Sequence, residues 1–274
     1  MESVTFRVLR LPRLFSNSSI AQTDGLILKQ RLHSITTMKA VILAGGLGTR
    51  LKPFTEVIPK PLLPIGEKAV LEIQIEHLRK HGVSEVFLAT NYKSNYIENF
   101  FGDGSRYGVK LSISREEKRL GTAGPLKLLE DKLTEPFIVM NGDILSNVDF
   151  GVIHRFSDEH DSLLTITIKK IIMPYAFGNI FFDGDKVTGI EEKPNIITHA
   201  LAGIYVMKPA IFSHIPEDTY FGMDQLILKL LSEDLAVTKY EIKDYWLDIG
   251  RVDDYELAQQ DFQKNFYVEG DTPS

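Results

Sequence analysis

Residues 44–61 read AGGLGTRLKPFTEVIPKP and come directly after MKAVIL at 38–43, an apolar run that reads as a buried strand. Glycines just after a strand let backbone N–H groups come close to a phosphate, and a helix starting there adds favourable partial charge. A plain tight turn would use the same glycines. Two familiar phosphate loops are absent: no GxxxxGK[ST] occurs, and GxGxxG fails because Leu51 stands where the third glycine belongs after Gly46 and Gly48. This leaves a glycine loop ending in Arg50, whose planar fork suits phosphate oxygens, and Lys60, held in direction by Pro59 and Pro61. Two aimed cations suit a long polyphosphate.

Asp143 ends the apolar run PFIVMNGD at 136–143, the carboxyl end where α/β sheets place their ligands. Asp248 ends a second short strand at 245–248. A strand-end aspartate can equally cap a turn, but the two together supply the carboxylates that a Mg²⁺ shared with phosphates and water requires. The chain has no cysteine, so a metal must be held by oxygen or imidazole. Among seven histidines, His77 and His81 have metal-pair spacing without the acid of an HExxH motif, and they read as a helix surface. By itself EEKP at 191–194 reads as a solvated charged turn, and Lys169-Lys170 as a strand edge kept soluble by charge. Trp246 beside Asp248 reads as packing under the site, with sugar stacking the alternative.

These residues need elements to hold them, and the chain alternates short β-rich runs with amphipathic helical runs. Strands are expected at 38–44, 85–90, 110–114 and 136–143, with helices at 70–81, 94–101 and 124–130. After Asp143 the texture turns to alternating strands at 162–169, 178–182 and 186–191, the last two joined by an Asp183-Gly184 turn. Strands at 200–206 and 245–248 and helices at 224–232 and 254–262 complete the pattern. The expected class is α/β with a mixed, mostly parallel central sheet and a smaller β-rich subregion after Asp143. One domain at 38–262 is expected, with a leader at 1–37 and a flexible tail at 263–274.

The 274 residues are 43% hydrophobic and 25% charged, ordinary for a globular enzyme, and no apolar run is long enough to span a membrane. The net charge is −6; residues 1–37 contribute +3, leaving −9 for the remainder. An acidic body argues against a nucleic-acid surface. The basic, serine-containing start reads either as a transit peptide or as a leader upstream of Met38.

GGLGTRLKPFTEVIPKPLLPI at 45–65 resembles the signature of the sugar-1-phosphate nucleotidylyltransferases, GGxGTRLxPxTxxxPKPxxPI. LGTAG at 120–124, VMNGD at 139–143, EEKP at 191–194, AGIY at 202–205 and YWLDIGR at 245–251 match in order, and by texture the chain is most similar to mannose-1-phosphate guanylyltransferase-like members. The resemblance implies a Rossmann-like three-layer sandwich of the GT-A type. It implies transfer of a nucleoside monophosphate from a triphosphate, GTP first, to a sugar-1-phosphate. Alternatives are UTP, dTTP or CTP as donor, or a catalytically inactive nucleotide-sugar-binding subunit. It further implies that Gly45, Gly46, Gly48 and Thr49 wrap the triphosphate, and that Gly121 and Thr122 read the base. Arg50, Lys60 and Lys193 act on the phosphates, Gly178, Glu192 and Lys193 bind the sugar phosphate, and Asp143 and Asp248 bind Mg²⁺. Thr122 as a plain helix cap is compatible with this. A cytoplasmic enzyme, possibly homodimeric, would fit. Leu201 departs from the pattern: many relatives have an amide there, so a sugar hydroxyl contact worth ~1 to 3 kcal/mol is missing. The chain stops soon after 254–262, so the left-handed β-helix that many relatives append is not expected.

Overall fold

Strand β1, Met38–Leu43, sends alternate side chains into two different cores: Ala40 and Ile42 to one side, Val41 to the other. Burial on both faces is what a central parallel strand requires. The computed structural model describes residues 38–91 and 93–266. The leader read at 1–37, and 267–274 of the tail, lie outside the described residues.

Beyond β1 run the short strands β2 (Pro64–Ile65) and β3 (Lys68–Ala69), helix α1 (Val70–Lys80), β4 (Val83–Thr90), α2 (Ser94–Phe101), β5 (Lys110–Arg115), β6 (Phe137–Asn141), β7 (Ile144–Ser146) and α3 (Phe150–Glu159). The second half carries β8 (Leu164–Pro174), β9 (Asn179–Asp183), β10 (Lys186–Glu191), β11 (Asn195–Met207), α4 (Met223–Ser232), β12 (Val237–Glu241), β13 (Trp246–Asp248) and α5 (Val252–Phe266). Seven strands form one sheet in the order β12-β8-β11-β6-β1-β4-β5. Every neighbouring pair is parallel except those made by β11, which runs against both β6 and β8. The mostly parallel mixed sheet expected from the alternation is present.

One face of the sheet packs on α1, α2 and α3 through Leu71, Ile75, Leu78, Ile97, Phe101, Phe150 and Ile153. The other packs on α4 through Met223, Leu226 and Leu230, and on Leu126 and Leu129. A third core joins Leu51, Leu63 and Ile65 near the glycine loop to Leu145 on β7, Ile249 after β13 and Ala258 and Phe262 on α5.

Several expectations change. The segment 124–130 forms 3₁₀ turns at Gly124–Leu129, with Pro125 at the start of a run too short for an α-helix. Helix α5 continues to Phe266, so 263–266 is helical where a flexible tail was expected. Helix α3 and strand β12 are additional to the sequence reading. Gly151 and Ser157 weaken the helical pattern of α3, and its start is fixed by Asp149, whose Oδ1 accepts the Val152 N–H at 3.0 Å.

His77 and His81 pack where α1 meets α3, their rings 4.7 Å apart and both against Phe150. His77 Nε2 donates to Val148 O at 2.8 Å, and His81 Nδ1 lies 3.1 Å from Asp149 Oδ1. Burial lowers the His77 pKa to about 4, against its hydrogen bond to Val148. With the native value below the unfolded one, the unfolded chain takes up the proton first, so His77 costs stability as pH falls from about 6.5 towards 4. Between pH 7.5 and 5 this residue is expected to remove about 2 kcal/mol. Urea midpoints at the two pH values measure the loss, and His77→Gln, which keeps a donor for Val148, should flatten it.

Candidate active site

A cleft of about 520 Å³ opens at the carboxyl ends of β1, β4, β5 and β6. The chain leaves β1 for β4 and β5 on one side and returns to β6 on the other, so the cleft lies where strand order reverses, the usual ligand position in open α/β sheets. Gly45, Gly46, Gly48, Thr49, Arg50, Lys60, Gly121, Thr122 and Asp143, all singled out in the sequence, line it.

The glycine loop folds down onto Lys60. Gly48 has φ +62°, and a Cβ there would stand 2.7 Å from Thr55 Cγ2 and 3.2 Å from Lys60 Cβ, so this position accepts only glycine without rearrangement. Thr55 Oγ1 donates to Gly48 O at 2.7 Å and fastens the loop. The loop runs into a single 3₁₀ turn, Thr49–Leu51, so the helix N-terminus anticipated there is not built. Charge for an anion must come from backbone N–H groups and side chains.

Lys60 is largely buried, and its Nζ donates to Asp143 Oδ2. Asp143 is held by its neighbours: Gln74 Nε2 on α1 donates to Asn141 O at 3.0 Å and Ile144 O at 2.7 Å, bracketing the Gly142-Asp143 pair. The Ile249 N–H donates to Asp143 O at 2.9 Å, and β7 pairs with β13 so that Asp248 stands opposite Ile144. The structure thus brings Asp248 beside Asp143. Partial removal from water pushes the Asp248 carboxyl above its usual range and the Asp143 charge adds to this, while Lys60 and Arg50 pull it back. Arg50 itself lies against Gly250, with Nη1 3.6 Å from where a Cβ would be. Trp246 takes the packing role, its Nε1 donating to Ala202 O at 2.7 Å.

Among the described residues no group of three or more His, Asp or Glu side chains could hold a metal. Two carboxylates with room for phosphate oxygens and water are nonetheless the donor set that Mg²⁺ commonly uses alongside a phosphorylated substrate. The residues fit a divalent ion on those terms.

Gly121 and Thr122 owe their types to the neighbouring chain segment. Gly121 has φ +86°, and a Cβ would fall 2.5 Å from Phe221 O. Ala123 and Gly124 donate N–H groups to that same carbonyl. Thr122 Oγ1 accepts the Met223 N–H at 2.7 Å and so caps α4, where the sequence suggested the turn at 124. This docking holds Tyr220 at the cleft mouth, 64% exposed.

Gly178, Glu192 and Lys193 do not line this cleft; they sit on the β-rich extension, where a Cβ on Gly178 would be 3.2 Å from Glu192 Oε2 and Lys193 has φ 47°. Leu201 is exposed on β11. Asp183-Gly-Asp185 forms the β9–β10 turn.

Sequence reasoning passes over Glu116, Arg119 and Tyr220, which also line the cleft, because REEKR at 115–119 looks like a solvated charge run. Glu116 Oε2 accepts the Leu120 N–H at 2.9 Å, and Oε1 lies 3.1 Å from where a Cβ on Gly45 would stand. Burial pushes its carboxyl upward and the Leu120 N–H restrains it. Among the described residues no cation pairs with Glu116 within 4.0 Å.

A family model described as Nucleotidyl transferase matches residues 39–265. "Probable mannose-1-phosphate guanylyltransferase 1" of Oryza sativa subsp. japonica is 37% identical over 227 residues, 80% of this chain and 63% of that protein. The mannose-1-phosphate guanylyltransferase catalytic subunit beta of Danio rerio is 35% identical over 226 residues, 80% of this chain and 62% of that protein. The chain therefore spans somewhat under two thirds of the length of these curated relatives. Among solved structures, HddC from Yersinia pseudotuberculosis complexed with GMP-PN superposes with a TM-score of 0.65 at 30% identity, covering 82% of this chain and 99% of that one.

Gln74 reaches from a helix to the two carbonyls that flank Asp143, and it is 3% exposed. Gln74→Met, close in volume but without the donor, leaves one buried and one partly buried carbonyl short of a partner. It is expected to lower unfolding free energy by about 2 kcal/mol in urea titration.

Proposed function

The chain belongs to the nucleotidyl transferase family, and on that premise we propose that it transfers a nucleoside monophosphate from a triphosphate to a sugar-1-phosphate. An oxygen of the sugar phosphate attacks the α-phosphorus, the bond from that phosphorus to the bridging oxygen breaks, and pyrophosphate leaves with the electron pair. Both reactants are anions, so the chemistry asks for positioning and charge neutralisation more than for a covalent nucleophile. The observation that carries the reading is the convergence of Arg50, Lys60, Asp143 and Asp248 around a glycine loop at the strand ends.

In this reading the N–H groups of Gly45 to Thr49 and the Arg50 guanidinium hold the β- and γ-phosphates. Lys60 then faces the α-phosphate and neutralises it as the bond exchanges. Asp143 and Asp248 would hold Mg²⁺, which supplies further neutralisation of the phosphate oxygens. Lys193 and Glu192 would take the phosphate and hydroxyls of the acceptor, brought from the β-rich extension.

We assign GTP as the donor. The guanylyltransferase names of the relatives support this, and Glu116 supplies a physical reason. A carboxylate lining the cleft suits a base edge carrying donors side by side, and guanine N1–H and N2–H are such an edge: Oε1 can take one, and Oε2 has a second lone pair beyond the Leu120 N–H for the other. Mannose-1-phosphate is the first acceptor to try, with hexose and heptose phosphates beside it because Leu201 replaces an amide.

A pyrophosphate-release screen of four nucleoside triphosphates against sugar-1-phosphates tests the reading; it is expected to single out GTP, and no release with any pair overturns it. Asp143→Asn and Asp248→Asn are each expected to lower turnover by about 100-fold or more. In EDTA, Asp248→Asn should melt no lower than the parent, because its carboxyl is held in its charged form at a cost. Glu116→Gln is expected to reduce kcat/KM for GTP by roughly 10- to 100-fold relative to the other triphosphates. An unchanged ratio would dissociate Glu116 from the base.

A further inference from the structure

The charge run REEKR at 115–119 is sorted by the fold into groups that face outward and groups that face the cleft. Arg115 pairs with Glu98 on α2, and Lys118 Nζ lies 2.7 Å from Asp218 Oδ2. Glu117 is exposed and does not line the cleft. Glu116 and Arg119 both line it. These two are opposite in sign and three residues apart, yet they do not pair: among the described residues no carboxylate lies within 4.0 Å of the Arg119 guanidinium. The Leu120 N–H holds Glu116 Oε2 at 2.9 Å across the bend at 117–118. Held apart, both side chains keep hydrogen-bonding atoms for a ligand.

The strip that carries Arg119 has little freedom. Lys118 is tied to Asp218 on one side of it, and on the other Leu120 O accepts the Phe221 N–H at 2.9 Å. Ala123 and Gly124 donate to Phe221 O at 2.9 and 3.0 Å, and Thr122 accepts the Met223 N–H. Anchors on both sides of residue 119 therefore fix where its side chain starts. The side chain itself is exposed, so a ligand in the cleft can reach it.

We propose that Arg119 is a specificity-determining residue for the donor base, its guanidinium donating to guanine O6 and N7 while Glu116 accepts from N1–H and N2–H. The inference rests on the assignment of GTP as donor and deepens it. Around the guanine edge the order is N2–H, N1–H, O6, N7, two donors followed by two acceptors. A carboxylate followed by a guanidinium is the complementary order. Glu116 alone discriminates poorly, because the exocyclic amine of adenine or cytosine also donates to a carboxylate. Arg119 removes that ambiguity. A guanidinium has only donors, and in the register that guanine takes, adenine sets its N6 amine against them. Pyrimidines offer no N7 for the second bond. The planar fork matters here as much as the charge, since O6 and N7 lie side by side.

Calorimetric titration of the full chain with GTP, 7-deaza-GTP and ATP, in Mg²⁺ and without an acceptor, tests this without requiring turnover. Arg119→Met is expected to weaken GTP binding roughly 10- to 100-fold and ATP binding less than about threefold. The parent should bind 7-deaza-GTP, which has C–H in place of N7, about 10-fold more weakly than GTP, and Arg119→Met should bind the two about equally. Arg119→Lys keeps the charge without the fork, and its GTP affinity should lie closer to that of Arg119→Met than to the parent's. Thermal melts of the parent and both variants are expected to coincide. Equal weakening of GTP and ATP by Arg119→Met would put the residue on the phosphates and overturn the proposal while leaving GTP as donor; equal discrimination against 7-deaza-GTP in parent and variant would overturn it too. A parent that prefers another triphosphate overturns the donor assignment and this inference together. A parent that binds GTP selectively through Arg119 but releases no pyrophosphate with any sugar-1-phosphate supports the base contact and overturns the transferase reading alone.

Discussion

Two carboxylates standing side by side repel, and the site is built to hold them there regardless. The raised carboxyl of Asp248 is the imprint of that repulsion together with partial burial. Its opponents are close: Lys60 bonded to Asp143, and Arg50 lying along Gly250. The arrangement is unfavourable as an isolated cluster and persists because the surrounding backbone is determined by other contacts, the usual condition for strain at a working site.

Those contacts are traceable. The β7–β13 pairing sets Asp248 against Ile144, and the third core beneath it draws together the glycine loop, the Lys60 turn and α5. Helix α5 also grips β2 and its turn by hydrogen bonds: Tyr255 Oη and Gln259 Nε2 both donate to Pro64 O at 2.6 Å, and Gln259 Oε1 accepts the Gly66 N–H at 2.9 Å. The last helix of the described chain thus fixes a segment near its beginning. Substitutions on α5 would reach the site through Lys60 without touching a ligand.

The β-rich extension divides into regions with different chemistry. Its bend is polar, with Glu192 against Gly178 and Lys193 in a left-handed conformation. On either side of the bend stand exposed apolar side chains, Ile180, Phe182 and Ile190 towards the tip and Ile172 and Ile197 towards the root.

The legibility of this fold and site depends on the range of the forces involved. Local spacing is sufficient for the glycine loop, the proline-flanked lysine, most of the strands and the mixed parallel sheet, because backbone approach, restricted torsions and apolar periodicity act within a few residues. Motif order carries the family. Local pattern fails where partners are distant: Thr122 has the look of a cap for its own turn and caps α4 instead, Gly121 makes room for Phe221, and Glu116 is hidden in a charge run. Gln74 looks like any polar residue on an amphipathic helix until its donors are found on the carbonyls around Asp143. The sequence by itself determined which groups are available and which short segments carry them. Only the tertiary structure decided that Asp143 and Asp248 meet, and that no cation among the described residues pairs with Glu116, because those facts depend on strand register and packing between segments that no local pattern relates.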